Sequence, residues 1–329
     1  MQKILAKISI NIFIGFVLIV VWSRFVNLNE IVTRLKEANL VYVFIIFMSI
    51  ALSGAIRALR FKKILNISEI SLKELVFLNY LAQLLSFLIP IRAGEITKGA
   101  YLSTQYKISF AKSLTWVLID RFLDLWMFIV VVAVALPFVS SNISGSLANL
   151  IIILLIVLTI LLILSIKSAN YLQKIIVLFL PLLIFPKLKS IFLNLANTII
   201  EGFKILDRSS KEWGIFIILS VLAAISDGFT WYLSFNALNI NLSVPQAVLG
   251  NALAAFTFLV PAAPGYVGSA EAAGLAVFSG ILGINTDLSS AATVLFHVTT
   301  LVSLLILGVS GLFFLKFDLN FVWKKLKGE

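Results

Sequence analysis

Charged side chains interrupt an otherwise apolar stretch near the end of the first hundred residues. In IPIRAGEITKG, residues 89–99, Arg92 and Glu95 follow Pro90 and flank Gly94. Proline removes a backbone donor and ends a helix, and glycine permits close backbone approach or positive φ, so a new helix can begin around Glu95. A helix N-terminus and an arginine fork together favour an anion such as phosphate or carboxylate. The alternative is that Arg92 and Glu95 simply pair in a cytoplasmic loop.

A second group of charges follows in SLTWVLIDRFLDLWMF, residues 113–128. Asp120, Arg121 and Asp124 fall about 12 Å into an apolar helix that starts near Lys112, at roughly 1.5 Å per residue. Charges at that depth must be paired, hydrated or both. Asp120 and Asp124 share one helix face, and Arg121 is three residues from Asp124. The group is either an ion pair that locks helices together or the polar wall of a substrate cavity.

A third polar stretch, LVPAAPGYVGSAEAAG, residues 259–274, contains several residues that break helices. Ser269 can cap the helix that follows, with Glu271 in its first turn. Glu271 is then either a partner of the helix dipole or a carboxylate that carries a proton or faces a substrate. His297 and Asp227 lie in other apolar segments; a histidine can titrate near neutral pH, although one held by a hydrogen bond in a helix bundle is more common. The helix-breaking residues are Pro261, Pro264, Gly265 and Gly268.

Composition places these residues in an all-α polytopic membrane protein. The chain has 329 residues, of which 61% are hydrophobic and only 12% charged, and its mean hydropathy is +1.09. Soluble domains are about one quarter charged. The net charge of +11 is concentrated in loops, which favours anionic headgroups over nucleic acid as the partner. Hydropathy predicts six full spans, near residues 5–23, 40–59, 113–139, 149–166, 213–238 and 291–315.

Two regions, about 72–106 and 244–282, combine an apolar run, a Pro/Gly break and a second run. Such regions are either re-entrant hairpins or pairs of short helices. SLKELVFLNYLAQLLSFLIPIRAG from Ser71 aligns with SVPQAVLGNALAAFTFLVPAAPG from Ser243 with one deletion. Three predicted spans separate them, which predicts an inverted repeat with a site between its halves. Chance similarity between two apolar helices is the alternative.

The distribution of Lys and Arg predicts that both termini are cytoplasmic, because basic residues concentrate on that side of a membrane. Basic residues crowd 57–73, 167–211 and 316–327, and none lies between Lys211 and Lys316. We expect residues 167–211 to form a cytoplasmic interfacial segment. The N-terminus is expected to be an uncleaved first span, and residues 1–329 a single transmembrane domain of a prokaryotic plasma membrane.

At its broken segments the sequence resembles the transmembrane region of the lysylphosphatidylglycerol synthases, also called the flippase-like or UPF0104 family. The resemblance extends from about residue 8 to 315. In two respects the chain departs from the family: Asp120 stands where glutamate is usual, and His297 stands at a basic position of the last span, so a permanent cation there is in doubt. The motifs are Pro90-x-Arg92-x-Gly94-Glu95, Arg121-x-x-Asp124 and Pro261-x-x-Pro264-Gly265-x-x-Gly268-x-x-Glu271.

The resemblance implies lipid translocation rather than catalysis. The full synthases carry a soluble aminoacyl-transferase domain after the membrane region; this chain stops at Glu329, so we expect no lipid-modifying activity, no cofactor and no metal. Arg92 and Arg121 would bind the phosphate of an anionic phospholipid or polyprenyl-phosphate lipid, while Glu95, Asp124 and Glu271 would pair with them in the empty state or carry protons. Supporting positions are Pro90, Gly94, Asp120, Pro261, Pro264, Gly265, Gly268 and His297.

Two other functions remain open from the sequence. A membrane enzyme or accessory factor of glycolipid or lipid-carrier biosynthesis would require an acidic metal motif, and the chain has no Asp-x-Asp pair and no Gly-rich phosphate loop. A small-solute or ion transporter would require a hydrated path sealed from lipid. No ATPase motif is present, so movement is expected to be passive, ion-coupled or driven by a partner, and a homo-oligomer is possible.

Overall fold

A computed structural model of the protein describes residues 2–89, 93–139, 209–257 and 263–317, with isolated positions between 145 and 193. Every regular element within these ranges is helical. Besides α-helices they include two short 3-10 turns, Leu136–Phe138 and Pro264–Tyr266, and a π-helical turn, Leu275–Ile281. The α-helices are α1 (Gln2–Ser23), α2 (Leu28–Lys36), α3 (Leu40–Leu65), α4 (Leu72–Leu88), α5 (Ala93–Gln105), α6 (Phe110–Ala135), α7 (Ser210–Asn236), α8 (Val244–Thr257), α9 (Ser269–Gly274) and α10 (Thr286–Leu315).

Three described helices are long and apolar enough to cross a membrane: Leu40–Leu65, Lys211–Asn236 and Thr286–Leu315. They correspond to three of the six predicted spans. The segment Ser9–Ser23 reaches the required length only together with Leu28–Lys36, from which it is bent by 92°. The predicted span at 149–166 and the interfacial segment at 167–211 lie outside the continuously described ranges.

Helix α6 has the length of a span but an unusual composition. It contains 26 residues, and Asp120, Arg121 and Asp124 lie near its middle. Three charges in one apolar helix of this length require partners inside the protein. The helix predicted for residues 113–139 therefore forms, and its crossing of a membrane remains a prediction.

The two broken regions each consist of two short helices. In the first, α4 ends at Leu88 and α5 begins at Ala93, so the restart occurs close to the expected Glu95. In the second, α8 ends at Thr257, and a 3-10 turn, Pro264–Tyr266, precedes α9. Pro90, Arg92 and Pro261 lie outside the described residues.

Gly94 and Gly268 allow the broken segments to pack closely on neighbouring helices. A Cβ atom on Gly94 would lie 2.2 Å from the carbonyl oxygen of Ala82 in α4. Gly268 has a φ of +83°, and a Cβ atom there would lie 2.3 Å from the carbonyl oxygen of Gly15 in α1. Both glycines thus permit a close approach of two backbones, as expected at a helix break. Gly268 in addition adopts a positive φ, which glycine tolerates best.

Each broken helix pair is held by a long helix from the other part of the chain. Helix α4 packs along α10, and α8 packs along α6. The most extensive contact between two described helices is that of α3 with α7. Ser49 Oγ donates to the carbonyl oxygen of Ser226 at 3.1 Å, and Ser226 Oγ donates to the carbonyl oxygen of Ser49 at 3.2 Å. This reciprocal pair fixes the α3–α7 contact near its middle.

Candidate functional site

Arg60 is the centre of a buried charge cluster. Its side chain and that of Asp120 are both 0% exposed. The guanidinium lies 2.7 Å from carboxylate oxygens of both Asp120 and Asp124, and Arg60 Nη1 also donates to Ser220 Oγ. Arg60 therefore joins α3 to α6 and α7. The shared helix face expected for Asp120 and Asp124 is confirmed by this common partner.

Arg57, one helix turn earlier in α3, forms a second ion pair. Its Nη2 atom lies 2.5 Å from Asp227 Oδ2 in α7, and its Nε atom lies 3.5 Å from Asp124 Oδ1. Ser53 contacts both Arg57 and Asp227 through its hydroxyl. Asp227, which the sequence shows only as a polar residue in an apolar segment, is thus paired. The two arginines connect the carboxylates of α6 and α7 across α3.

Arg121 and Lys98 complete the cluster from α6 and α5. Arg121 Nη2 lies 2.9 Å from Asp120 Oδ2, and its Nη1 atom lies 3.1 Å from Asp124 Oδ2, which confirms the predicted pairing. Lys98 Nζ donates to Asn79 Oδ1 at 2.8 Å and lies 3.9 Å from Asp120 Oδ2. The Arg121 side chain is 35% exposed, whereas that of Lys98 is 6% exposed. Arg121 is consequently the most exposed cation of the ion-paired cluster.

Glu95 stands at the edge of this cluster without an ion pair to any described residue. Its Oε2 atom is buried, and no described group donates a hydrogen bond to it. Gly94 beside it donates its backbone N–H to Ser86 Oγ at 3.0 Å, which fixes the start of α5 against α4. A buried carboxylate oxygen without a donor is costly, so such an atom marks a place where a ligand group or a proton can bind.

Glu271 and His297 form a separate acid–base pair in the second broken region. His297 Nδ1 lies 2.6 Å from Glu271 Oε1, and His297 Nε2 lies 2.6 Å from the carbonyl oxygen of Gly265. Glu271 Oε2 accepts a hydrogen bond from the Gly268 N–H at 2.7 Å. The pair therefore ties Gly265 and Gly268, which both have a positive φ, to α10.

The helix that carries Glu271 starts differently from the sequence interpretation. Glu271 lies in the first turn of α9, as expected, but Ser269 is not its cap. Gly268 occupies the cap position, and its N–H is satisfied by Glu271 itself. The Ser269 hydroxyl instead donates to the carbonyl oxygen of Tyr266 at 2.9 Å. The positive φ of Gly268 makes the tight turn possible, so serine is not needed there.

The predicted site residues thus divide into two groups. Asp120, Arg121 and Asp124 are in direct contact, with Glu95 nearby. Glu271, His297, Gly265 and Gly268 are in contact with each other, with Pro264 in the same turn. No described hydrogen bond or ion pair joins the two groups. Arg92, the first predicted anion ligand, lies outside the described residues, as do Pro90 and Pro261.

The sequence interpretation missed Arg57, Arg60 and Lys98. It placed the basic residues from 57 to 73 at helix ends and in loops, whereas Arg57 and Arg60 lie within α3, which continues to Leu65, and form buried ion pairs. A signal was nevertheless present. Arg57 and Arg60 are three residues apart on one helix face, and Asp120, Asp124 and Asp227 lie in apolar segments where each needs a cation.

The family comparison decides which class of protein carries this site. A family model described as the lysylphosphatidylglycerol synthase TM region matches residues 6–308. The chain belongs to this family. The match includes both broken helix pairs and both residue groups, and as a member of the lysylphosphatidylglycerol synthase TM-region family the protein is a multi-pass membrane protein. No functionally curated protein matches the chain significantly.

Proposed function

We propose that this member of the lysylphosphatidylglycerol synthase TM-region family moves an anionic lipid between the leaflets of the plasma membrane and catalyses no chemical reaction. The observation that carries the proposal is the position of Arg121. Among the described residues, four cations, Arg57, Arg60, Lys98 and Arg121, form ion pairs with three carboxylates, those of Asp120, Asp124 and Asp227. These ion-paired groups carry one surplus positive charge, which the nearby Glu95 carboxylate balances only while it is ionised.

The surplus charge can meet an anion only where the network is accessible. Of the four cations, Arg60 is fully buried, Lys98 and Arg57 are 6% and 12% exposed, and Arg121 is 35% exposed. Arginine binds phosphate through two parallel N–H donors, and the buried carboxylates hold its planar group in place. A phospholipid or polyprenyl-phosphate headgroup would bind at Arg121 while its tails stay in the bilayer. The Glu95 carboxylate beside the site would accept a hydrogen bond from the headgroup or hold a proton.

The proposal includes an inverted repeat of α3–α6 and α7–α10. Glu95 and Glu271 are each the third residue of the helix after a break, in α5 and α9. Arg121 and His297 are each the twelfth residue of the next long helix, and each lies 26 residues after the glutamate of its half, Glu95 or Glu271. The packing of α4 on α10 corresponds to that of α8 on α6.

An inverted repeat supports movement of a ligand because exchange of the two halves' conformations opens the site to the opposite side. In this scheme both termini are cytoplasmic, and the bilayer lipids are the partners. The charge cluster and the pair of Glu271 and His297 occupy corresponding positions in the two halves.

The test begins with lipid binding by native mass spectrometry. Wild-type protein, Arg121→Ala and Arg92→Ala are compared across anionic, zwitterionic and polyprenyl-phosphate lipids. The control is Arg34→Ala, which removes an arginine from an exposed pair on α2. We expect selective retention of one anionic class in wild type and the control, and at least a tenfold loss in Arg121→Ala. The retained lipid is then assayed, as a labelled analogue, for movement between leaflets of liposomes.

Equal retention of all lipids by wild type and Arg121→Ala would show that the charges are structural. Retention without movement between leaflets would point to the biosynthetic accessory role. Either result overturns lipid translocation through this site.

A further inference from the structure

The contact of Glu271 with His297 requires a proton. His297 Nε2 faces a carbonyl oxygen, which only accepts, so Nε2 carries hydrogen. Nδ1 and Glu271 Oε1 lie 2.6 Å apart, and Oε2 accepts from the Gly268 N–H. A carboxylate and a bare imidazole nitrogen are both acceptors, so the short contact holds only with a second proton between them. The pair is therefore proton-loaded and neutral overall in this structure.

We propose that Glu271 and His297 form a proton-binding site that latches the second broken segment closed. With the proton present, the pair holds the backbone of Gly265 and Gly268 against α10. Loss of the proton leaves a neutral imidazole and a carboxylate, with a net charge of −1 and two lone pairs facing each other. The Nδ1–Oε1 contact then becomes repulsive. Because the same two side chains bind both glycines, their separation releases the break.

The surroundings of the pair contain few other charges. Helix α8, Val244–Thr257, has no ionisable side chain. Residues 9–23 of α1, where Gly15 approaches Gly268, have none either. Helix α4 presents the Phe87 ring. On α3 and α7, Arg57 and Asp227 neutralise each other, and on α10 the one other ionisable residue, Asp287, accepts from the Asn27 N–H at the helix start. A single proton therefore decides the charge of this site.

The latch also contacts the first broken region. The His297 and Tyr266 rings each lie 5.6 Å from the Phe87 ring, measured between centroids. Phe87 is the second-last residue of α4, immediately before the first break. A displacement of His297 and the Pro264–Tyr266 turn thus changes the packing at the end of α4. This contact connects the proton site to the half of the protein that contains Arg121.

The same comparison of halves explains why the latch uses histidine. His297 corresponds to Arg121, which keeps its charge at every physiological pH and is bound by two aspartates. Histidine is the side chain whose charge changes near neutral pH. One half would therefore hold a permanent cation for an anion, and the other a titratable base for a proton. Use of the latch in lipid movement rests on the proposed function, whereas the proton site and its opening do not.

The sole histidine of the chain allows a direct test in lipid nanodiscs without any added substrate. Protein labelled with ¹⁵N-histidine gives one pair of imidazole signals, recorded from about pH 5 to about pH 9, which brackets the ordinary histidine pKa of about 6.5. We expect wild type to lose the proton shared at Nδ1 within this range. Glu271→Gln places an amide donor against Nδ1 of His297. The His297 ring in this variant should therefore stay neutral, with its one N–H on Nε2, over the whole pH range.

Opening is followed with one introduced thiol, because the chain has no cysteine. Ala273→Cys places it in α9 at a buried position, and Leu40→Cys provides an exposed reference for the intrinsic pH dependence of thiol alkylation. The alkylation rate of the thiol at position 273 is divided by that of Leu40→Cys at the same pH. This normalised rate should rise at least fivefold as the His297 imidazole loses the proton at Nδ1. With Glu271→Gln added, the normalised rate should stay low at every pH. With His297→Ala added, it should be high at every pH.

Two results would overturn the latch: an imidazole that does not titrate in wild type, or a titration without a change in normalised alkylation. A pH-dependent alkylation rate that persists in Glu271→Gln would also exclude the site. If His297→Ala does not fold, the isosteric Glu271→Gln variant still decides the question. Because no lipid transport is measured, a failure of the proposed function leaves these readouts unchanged.

Discussion

Arg60 and Asp120 form a fully buried ion pair between α3 and α6, with 2.7 Å between guanidinium and carboxylate. Neither side chain is exposed. A buried ion pair is expensive to desolvate, and it persists only where further hydrogen bonds complete it. Here Asp124 and Ser220 supply them. The pair positions the carboxylates that in turn hold Arg121 at the surface, so it is a positioning element for the proposed anion site.

Removal of Arg60 should destabilise the protein strongly. Arg60→Gln leaves Asp120 and Asp124 with less compensation in a buried environment, and breaking a buried pair costs about 3–5 kcal/mol. Thermal unfolding in detergent measures the loss. Arg34→Gln, in the exposed pair with Glu30, is the matched control and should cost at most about 1 kcal/mol. Equal melting temperatures for both variants would contradict the role of Arg60.

The pair of Arg57 and Asp227 should show strong coupling between α3 and α7. Arg57→Gln and Asp227→Asn each leave one charge without its partner, whereas the double variant removes both charges. We expect the double variant to be more stable than the sum of the single effects predicts, by about 0.5–3 kcal/mol. Thermal unfolding of all four proteins gives this coupling energy. Additive effects would show that the contact contributes nothing specific.

Gly94→Ala should disrupt the start of α5. The new Cβ atom would lie 2.2 Å from the Ala82 carbonyl oxygen, and a backbone atom cannot move aside cheaply. Overpacking of this kind costs about 1–3 kcal/mol. Gly214→Ala in α7 is the control, because no described atom outside its own helix turn lies within 4 Å of its Cβ position and alanine favours a helix by about 1 kcal/mol. The melting temperature should fall for the first variant and not for the second.

Neutralisation of Glu95 should affect ligand binding more than stability. No described group donates to its buried Oε2 atom, so Glu95→Gln removes no such bond and should not lower the free energy of unfolding, since a buried carboxylate oxygen without a donor is itself costly. Lipid retention in native mass spectrometry should nevertheless change in its headgroup preference. Asp120→Asn is the comparison, since it weakens the Arg60 and Arg121 contacts and should lower the melting temperature. A destabilised Glu95→Gln with unchanged lipid preference would assign Glu95 a structural role.

Local sequence signals predicted several elements of the site. Apolar length predicted α3, α7 and α10 because a helix in lipid must satisfy its own backbone. Proline and glycine predicted both breaks, and the i,i+3 and i,i+4 spacings predicted that Arg121 and Asp124 pair and that Asp120 and Asp124 share a face. The prediction that Ser269 caps α9 was wrong. Gly268, which has a positive φ, occupies the cap position and donates its N–H to Glu271.

By itself the sequence determined the class of the protein, the helix breaks and the contacts between residues on one helix, since these depend on local backbone chemistry and on burial in lipid. Tertiary structure alone decided which distant charges meet. Arg60 lies 60 residues from Asp120, Arg57 lies 170 residues from Asp227, and His297 reaches across the break to Gly265. A charge in an apolar helix shows only that a partner must exist. The partner is chosen by the packing of α3 between α6 and α7, which no local pattern encodes.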